Sequence, residues 1–501
     1  MIIIISNFTS NKFYPSQNPI NITVSSDNTG NCNFRYICDL YVNGVKVFTD
    51  KLFPDPNTSY GFFQLSRVIQ DYIKTFITNS PQSAYFAVGG STTSPASAIQ
   101  IYCQFGEEYD DSANCDGTVL QYTNLTLSNT AYAYQSAFAY EDFPTYTDST
   151  YKGVWASASN LAKFLTNSPR EVEVTYNDSY YLDFISLTAP TAYVNPSTGH
   201  VALEIKEYKK DNTTTTTSIP ASSLAATRRW RLAVGPWDIN KISGTTTISQ
   251  FTNYYTIRLV WRAGSSTLHS LSETFTFNVK APKPFQTRIG FVGLLGSIEN
   301  FTFYHRRTDA YDIQKRTYEK TLQSNSSGVW GYSVGDRGTT TWQVSANEKG
   351  QVSTFCSEDM SRWLSEMWLS PDAWIYKRES IYGFRNFKET GSDRILFWFE
   401  PGHGYVAGDQ IYLLPSDENS NWSIYNGLFT IVSVNGDLVD FGITESGYTY
   451  FDVCGYGYKK KDWQRLPVTI SDQSVELKQR TSRPIQYSLN WQMAYSKTTL
   501  R

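Results

Sequence analysis

The sequence predicts a mainly β, multidomain protein, with two β-sandwiches and a C-terminal α+β domain that carries an inserted small barrel of the SH3 or OB kind. Three observations predict this class. The chain has 501 residues, enough for about three domains. Aromatic residues reach 16 % while charged residues make up only 18 %, and Tyr and Thr favour strands. Short β-rich segments separated by Gly, Asn and Pro turns recur along the chain.

Residues 1–150 are predicted to form the first sandwich with one packed helix. Asn43-Gly44 lies between two β-rich segments, which is the strongest short signal for a hairpin. Apolar residues then recur on one helix face, at Leu65, Val68, Ile69, Tyr72, Ile73, Phe76 and Ile77. A proline turn at 79–81 ends this helix. The acidic segment EEYDD, residues 107–111, is predicted to be a solvated loop.

The remaining chain divides into two further domains and an insertion. Residues 151–285 contain about seven short strands, as in an immunoglobulin-like or fibronectin-like sandwich. The proline-rich segment 281–284 is the predicted linker that leaves it. Residues 286–400 and 462–501 are predicted to form the C-terminal α+β domain, which makes the assembly contact. The block 401–461, with its closely spaced glycine turns, is predicted to be the inserted barrel.

The C-terminal domain is organised around the segment Cys356–Phe384. Ser357 can cap a helix. Five large apolar side chains then fall on one helix face, namely Met360, Trp363, Leu364, Met367 and Trp368. Ser370-Pro371 is expected to end the helix, because a residue before proline avoids the α region. The strand pattern resumes only at Arg465, which is why the intervening block is interpreted as an insertion.

Charge and cysteine content limit the expected surroundings of the protein. The net charge is −3, so neither specific nucleic-acid binding nor an anionic membrane is favoured. The opening MIIIIS is too short for a signal peptide or a membrane span. Cys32 and Cys38 would lie roughly 20 Å apart along one strand, too far to bridge. We therefore expect free thiols, synthesis in a reducing cytoplasm and no membrane insertion.

Residues that hold metals or perform catalysis are scattered. The histidines have no partner three or four residues away: His200, His269, His305 and His403. We predict no metal site, no cofactor and no catalytic residue. A glycosidase would need two facing carboxylates, and acidic candidates are Glu107, Glu108, Asp110, Asp111, Asp178, Asp183, Glu358 and Asp359. Helix-terminus electrostatics explains Glu358 and Asp359. A catalytic carboxylate pair assembled from distant strands stays an open alternative.

The densest basic and aromatic segment is TRRWRLAVGPW, residues 227–237. Arginine and tryptophan dominate protein–protein hot spots, so the candidate interface is Arg228, Arg229, Trp230 and Arg231. Arginines interleaved with tryptophan could also bind nucleic acid or stack on sugars. Three arginines in a chain of net negative charge are, however, weak evidence for a nucleic-acid site. Trp368 is a further interface candidate. Core packing of Trp363 and Trp368 is nevertheless favoured, because the next strand should cover them.

Several segments resemble virion proteins of tailed bacteriophages that infect Bacteroidetes, the crAss-like phages among them. In the C-terminal third these are RIGFVGLLGSIENFTF, WLSEMWLSPDAWIY, RLPVTISDQSVELKQ and QYSLNWQMAYS. Near the N-terminus they are NFRYICDLYVNG and YGFFQLSRVIQDYI. The GD-x-I and YNG patterns of the inserted block look like an insertion found at that place in such proteins. The middle sandwich carries no such resemblance.

The resemblance implies a non-enzymatic structural protein of the virion, in the tail or its collar. On this expectation the protein binds copies of itself and other tail or portal-proximal proteins, and rigid sandwiches set the spacing within a ring. Two alternatives stay open. One is a carbohydrate-binding fibre or receptor-binding protein that contacts a host glycan, and the other is a glycan hydrolase carried on the virion. The expected location is the virion, after synthesis in the host bacterial cytoplasm.

Overall fold

The fold is that of a computed structural model. It describes residues 2–75, 85–89, 97–110, 115, 120–122, 126–138, 142–143, 150–153, 161–175, 178–186, 200–220, 228–241, 248, 251–263, 266–281, 286–319, 324–326, 329–331, 338–377, 382–388, 394–415, 427–444, 454–459, 464–471, 485–495 and 497–500. Strands make up 61 % of this part and helices 7 %. The predicted mainly β class is confirmed.

The N-terminal unit has two sheets that face each other across one apolar core. Its elements are β1 (Ile2–Ser6), β2 (Phe13–Pro15), β3 (Asn21–Ser26), β4 (Cys32–Val42), β5 (Val45–Leu52), β6 (Gly61–Gln64), α1 (Ser66–Gln70), β7 (Tyr85–Gly89), β8 (Ala98–Asp110), β9 (Leu120–Tyr122), β10 (Thr126–Leu127) and β11 (Ala131–Tyr134). One sheet has the order β1-β3-β6, and the other has β2-β11-β8-β4-β5 with β9 and β10 beside β8. Ile22 and Phe63 of the first sheet meet Leu40 and Phe105 of the second.

Local predictions in this unit have mixed outcomes. Asn43 and Gly44 have φ values of 50° and 82° and join β4 to β5, so the predicted hairpin is confirmed. The predicted helix is much shorter than its apolar stripe. The helix α1 covers only five residues, and Leu65 before it provides no side-chain cap. The end of that stripe, residues 76–77, lies outside the described part of the chain.

The prediction of a solvated loop at EEYDD is wrong for residues 107–110, and Asp111 lies outside the described part of the chain. Glu107, Glu108 and Asp110 belong to β8 and are buried. Glu107 accepts hydrogen bonds from the Ser26 hydroxyl and from the Asn28 side chain, the latter at 2.6 Å. The Lys51 ammonium lies 2.5 Å from Glu108. These partners compensate the desolvation of the carboxylates, so an acidic run can lie inside the strand.

The expectation of free thiols is wrong for two cysteines. Cys32 and Cys115 form a disulfide, with their Cα atoms 5.3 Å apart and a sequence separation of 83 residues. The sequence argument considered Cys32 only with its neighbour Cys38, whereas its partner follows the distant strand β8. Three other described cysteines are free and buried, at Cys38, Cys103 and Cys356.

The middle unit also has two sheets around one core. Its elements are β12 (Lys152–Gly153), β13 (Glu171–Thr175), β14 (Tyr181–Ser186), β15 (His200–Lys209), β16 (Thr214–Pro220), β17 (Arg228–Ala233), α2 (Pro236–Lys241), β18 (Thr252–Ala263), β19 (Ser266–Ser270) and β20 (Phe275–Lys280). The sheet orders are β12-β14-β17-β7 and β13-β20-β18-β15-β16, with β19 beside β18. Because β7 comes from the N-terminal segment and pairs with β17, the predicted boundary at residue 150 does not separate two independent units.

The C-terminal unit begins with β21 (Thr287–Val292), β22 (Ile298–Phe303), β23 (Thr308–Glu319), β24 (Ser324–Ser326), β25 (Val329–Gly331), β26 (Thr339–Cys356), α3 (Glu358–Leu364), α4 (Glu366–Leu369) and β27 (Ala373–Lys377). The Ser357 side chain accepts a hydrogen bond from the Met360 amide, so the predicted cap is confirmed. The predicted single helix is divided at Ser365, whose hydroxyl donates to the Arg362 carbonyl at 2.5 Å. The helix ends at Leu369, before Ser370-Pro371, as predicted.

The insertion starts earlier than predicted. Its strands are β28 (Tyr382–Lys388), β29 (Arg394–Phe399), β30 (Gln410–Pro415), β31 (Gly427–Thr430), β32 (Ser433–Asn435), β33 (Leu438–Thr444) and β34 (Cys454–Lys459). They form one sheet in the order β31-β30-β34-β28-β29-β33-β32 with its own core, in which Phe384 meets Phe397 and Ile411. The boundary at 401 is therefore wrong, because β28 and β29 are central strands of this sheet.

The chain then returns to the C-terminal unit through β35 (Gln464–Ile470), β36 (Ile485–Met493) and β37 (Lys497–Leu500). The sheet of this unit has the order β22-β21-β27-β35-β36-β26-β23, with β37 beside β26. The helical segment packs on one face of the sheet, where Trp363, Leu364 and Met367 meet Leu489 and Trp491. The other face of β36 is exposed, since its residues alternate between buried and exposed.

Candidate functional site

Three units meet at the turn between β21 and β22, which contains the glycines of the sequence GLLG. The Ala137 amide of the N-terminal unit donates to the Leu294 carbonyl at 2.7 Å. Gly296 has a φ of 78°, and a Cβ atom there would lie 1.6 Å from the Gln135 carbonyl oxygen and 3.0 Å from an Arg229 nitrogen. Only glycine therefore fits the position at which the turn enters the junction.

Two arginines predicted to form a protein–protein interface are instead buried in this junction. Arg229 and Arg231 are 0 % and 1 % exposed. Both bind the Asp183 carboxylate, Arg229 through Nη2 at 2.5 Å and Arg231 through Nε at 2.7 Å. Burial alone would raise the pKa of Asp183, but the two guanidinium charges hold it below its usual value. The three charges form a buried cluster inside the chain.

The interface prediction is thus wrong for Arg229, Trp230 and Arg231. Trp230 is buried in the core of the middle unit, because β17 lies between β14 and β7 and its side chains alternate into the two sides of that sheet. The side chain of Arg228 lies outside the described part of the chain, although its backbone pairs with Ser186.

A second buried ion pair ties the middle unit to the C-terminal unit. The Arg288 guanidinium of β21 lies 3.0 Å from the Asp178 carboxylate. It also donates to the Thr302 hydroxyl at 2.8 Å and to the Ser179 carbonyl. Since both charged groups are fully desolvated, loss of either one would leave the other buried without its compensating charge.

Two glutamates flank the same turn. Glu299 and Glu366 are 1 % and 6 % exposed, and an added Cβ at Gly293 would lie 2.9 Å from Glu299 Cγ and 3.1 Å from Glu366 Oε2. Glu366 accepts hydrogen bonds from the Leu294 amide at 2.8 Å and from Asn167 at 2.7 Å. Burial raises the pKa of Glu299 to about 8 and also raises the pKa of Glu366.

These contacts bear on the carboxylate pair that a glycan hydrolase would need. Asp178 and Asp183 bind arginines, and Glu299 and Glu366 lie under the β21–β22 turn. All four side chains are buried, so none of them can reach a polysaccharide in this state. Glu358 lies in the first turn of α3, as the electrostatic interpretation predicts, and it also binds Arg362 at 2.8 Å.

Two histidines of the C-terminal half have local partners. His305 lies 3.3 Å from the Ser353 hydroxyl and edge-on to Phe355. His403 accepts a hydrogen bond from the Tyr405 amide at 3.0 Å. Among the residues that the structure describes, no group of three His, Cys, Asp or Glu side chains could hold a metal ion.

Large apolar side chains are exposed on the strand pair formed by β23 and β26. All twelve residues of β23 are exposed, and β23 pairs with β26 along its full length. Five large side chains of the two strands are between 41 % and 58 % exposed: Tyr311, Ile313, Tyr318, Trp342 and Phe355. The composition of the chain indicated many aromatic residues but not this placement.

The helix tryptophans differ in burial. Trp363 is 2 % exposed and contacts Phe291 and Phe301, so its predicted core position is confirmed. Trp368 is half-buried and stacks on Tyr487 with ring centroids 5.2 Å apart. An assembly role for Trp368 stays a prediction.

Sequence reasoning missed the burial of Glu299 and Glu366 at this junction. Glu299 stands in the strand segment SIENFTF, and a single acid among residues that face a core indicates a buried carboxyl group. No neighbouring residue in the sequence indicates that Glu366 is buried, because its partners Asn167 and Leu294 are distant in sequence.

No protein family matches this chain, and no curated protein sequence matches it. None of the described helices is long and apolar enough to cross a membrane.

Proposed function

We propose that the protein is a non-enzymatic structural component of a bacteriophage virion, built into a tail or collar ring through contacts with its own copies and with sibling virion proteins. The resemblance in its C-terminal third motivates this assignment. At a finer level, we propose that the N-terminal and middle units are complete β-sandwiches and that the inserted module is a small barrel of the SH3 or OB kind. The virion is the proposed location.

The exposed ribbon of β23 and β26 is the observation that carries the proposal. A buried ion pair fastens the middle unit to the C-terminal unit, and the ribbon presents apolar side chains to solvent on both of its faces. Exposed apolar patches of this kind are typical of protein–protein contacts. A rigid body with an exposed apolar pair of strands suits a repeated subunit of an assembly.

The proposal is tested by quantitative mass spectrometry of density-purified particles from a culture that carries the gene. We expect the protein in a fixed ratio to the major capsid protein, and we expect this ratio to survive a high-salt wash. Recovery of the protein only in the particle-free lysate would contradict a structural role. A matched host protein of similar abundance serves as the control for contamination.

A carbohydrate-binding role is the second candidate, and one surface favours it. Neutral amide and hydroxyl side chains line the outer face of β36, at Gln486, Ser488, Asn490 and Gln492. Phe355, which is 58 % exposed, lies opposite Gln486 on the neighbouring strand. Such groups hydrogen-bond sugar hydroxyls while an aromatic ring stacks on the sugar face. Glycan-array binding that is lost in Phe355→Ala would support this role, and a signal unchanged by Phe355→Ala would contradict it.

A further inference from the structure

The strand β23 ends the sheet of the C-terminal unit. Within the described part of the chain it pairs on one side, with β26. Edge strands offer backbone N–H and C=O groups to another strand, and long exposed ones are protected or used for association. At twelve residues β23 is long, and a strand of that length spans roughly 40 Å.

The charges near the centre of β23 change sign between its two halves, and the strand ends in a further acid, Glu319. Asp309 and Asp312 lie in the first half, and Lys315 and Arg316 lie in the second. An antiparallel copy of the same strand would therefore bring acidic residues opposite basic ones. This self-complementary pattern identifies the partner as a second copy of the same chain.

The geometry of a two-fold axis fixes the register. An axis perpendicular to the sheet keeps each side chain on its own face, so only residues whose numbers are both even or both odd can lie directly opposite. With the axis at Gln314, Asp312 lies opposite Arg316 of the second copy, and the same pair forms twice. Ala310 then lies opposite Tyr318, whose ring is 50 % exposed in the single chain.

Neighbouring registers are less favourable. An axis at Asp312 or at Lys315 would place each of these charges against itself. An axis at Ile313 would form no pair of opposite charges between residues of β23. In the Gln314 register the end residues Asp309 and Glu319 face each other, and Arg307, which binds Asp309 at 2.7 Å, offsets part of that repulsion. Asp312 has an exposed intrachain partner of the same kind, Lys349 at 3.6 Å, which still leaves it accessible to Arg316 of the second copy.

We infer that two copies of the chain associate by antiparallel pairing of β23 with β23 about a two-fold axis at Gln314, which joins the two C-terminal sheets into one. This inference names the partner surface of the proposed structural role and rests on it. The pairing would also cover Tyr311 and Ile313, which are each 55 % exposed in the single chain.

Charge reversal in the full chain tests the register. Asp312→Arg and Arg316→Asp each create two like-charge pairs, so each variant alone should dimerise about tenfold more weakly. An equimolar mixture of the two variants should form heterodimers at the wild-type level, because opposite charges then face each other again. The double variant should also recover. Sedimentation velocity measures all four samples, and recovery in neither the mixture nor the double variant would overturn the inference.

A cysteine placed on the axis tests the pairing directly. Gln314→Cys would lie opposite itself, so mild oxidation should give a covalent dimer, whereas Asp309→Cys should not, and the wild-type chain controls for native thiols. A wild-type chain that self-associates without cross-linking at 314 overturns the strand pairing and leaves the proposed function standing. Absence of the protein from purified particles overturns the proposed function and leaves the strand pairing standing.

Discussion

At the residue scale, the junction depends on an acid held between two arginines. Asp183→Asn would remove the charge that compensates Arg229 and Arg231, both of which stay buried. Breaking a buried pair in this way costs about 3–5 kcal/mol of unfolding free energy. The solvent-exposed pair of Glu358 and Arg362 provides the matched control, and Glu358→Gln should change stability by less than about 1 kcal/mol. Urea unfolding measures both, and equal effects would show that the junction cluster adds nothing.

Glu299 should make stability depend on pH. Its pKa is raised to about 8 in the folded chain, while an unfolded glutamate titrates near about 4.3. The folded state therefore holds a proton that the unfolded state has lost, and the unfolding free energy should fall as pH rises from about 5 to about 8. The stabilisation is fully present below the unfolded pKa and is lost on passing the folded pKa.

Glu299→Gln should reduce this dependence, because the amide does not ionise, while Glu366, whose pKa burial also raises, keeps part of it. Thermal melting of the wild type and the variant at several pH values measures the effect, which amounts to about 1.4 kcal/mol for each pH unit in the window. Parallel curves for the two proteins would show that Glu299 does not carry the proton. Glu358→Gln, an exposed change, controls for general effects of charge removal.

At the scale of elements, the two helix tryptophans should respond differently to truncation. Trp363→Ala removes a ring that is 2 % exposed and packs on two phenylalanines, so we expect a loss of about 3–5 kcal/mol. Trp368→Ala removes a half-buried ring stacked on Tyr487, and we expect about 1–2 kcal/mol. Chemical denaturation measures both. An unchanged stability with lost self-association in Trp368→Ala would instead assign that ring to an interface.

The inserted module should be removable at its corrected boundaries. Lys377 and Gln464 are paired residues of β27 and β35, so the chain ends on either side of the module lie next to each other. Replacing residues 382–459 by a short Gly/Ser bridge should leave a folded protein with a melting temperature close to that of the wild type.

Deletion of residues 401–461 is the matched control for that experiment. It would leave β28 without its partner β34 and β29 without its partner β33, and expose the apolar side chains of Phe384 and Phe397. We expect this shorter deletion to aggregate. A stable protein from the 401–461 deletion and an unfolded one from the 382–459 deletion would reverse the boundary assignment.

Much of the fold follows from local signals in the sequence. The Asn43-Gly44 hairpin, the Ser357 cap and the helix stop at Pro371 depend on a few adjacent residues, and all three are confirmed. The disulfide of Cys32 with Cys115 depends on contacts between residues far apart in sequence. The periodicity of apolar residues along the chain does not indicate contacts between residues that are far apart in sequence. The arginines of β17 looked like surface residues for the same reason, since their partner Asp183 lies on another strand.

At the scale of the whole molecule, buried polar contacts join units that the sequence presented as separate domains. The strand β7 crosses from the N-terminal segment into the middle unit, and the β21–β22 turn contacts both of these units. Glycine at 296 is needed for that approach. This arrangement supports a rigid subunit with one exposed ribbon, which is the form that the proposed role in an assembly requires.

Self-association is the central claim, and native mass spectrometry of the purified full chain tests it most directly. The account predicts oligomers of one defined stoichiometry that contain an even number of chains, because β23 pairs about a two-fold axis. The charge-reversal variant Arg316→Asp should shift the distribution toward smaller species at the same concentration. A wild-type chain that stays monomeric at every concentration at which it remains dissolved would contradict the account.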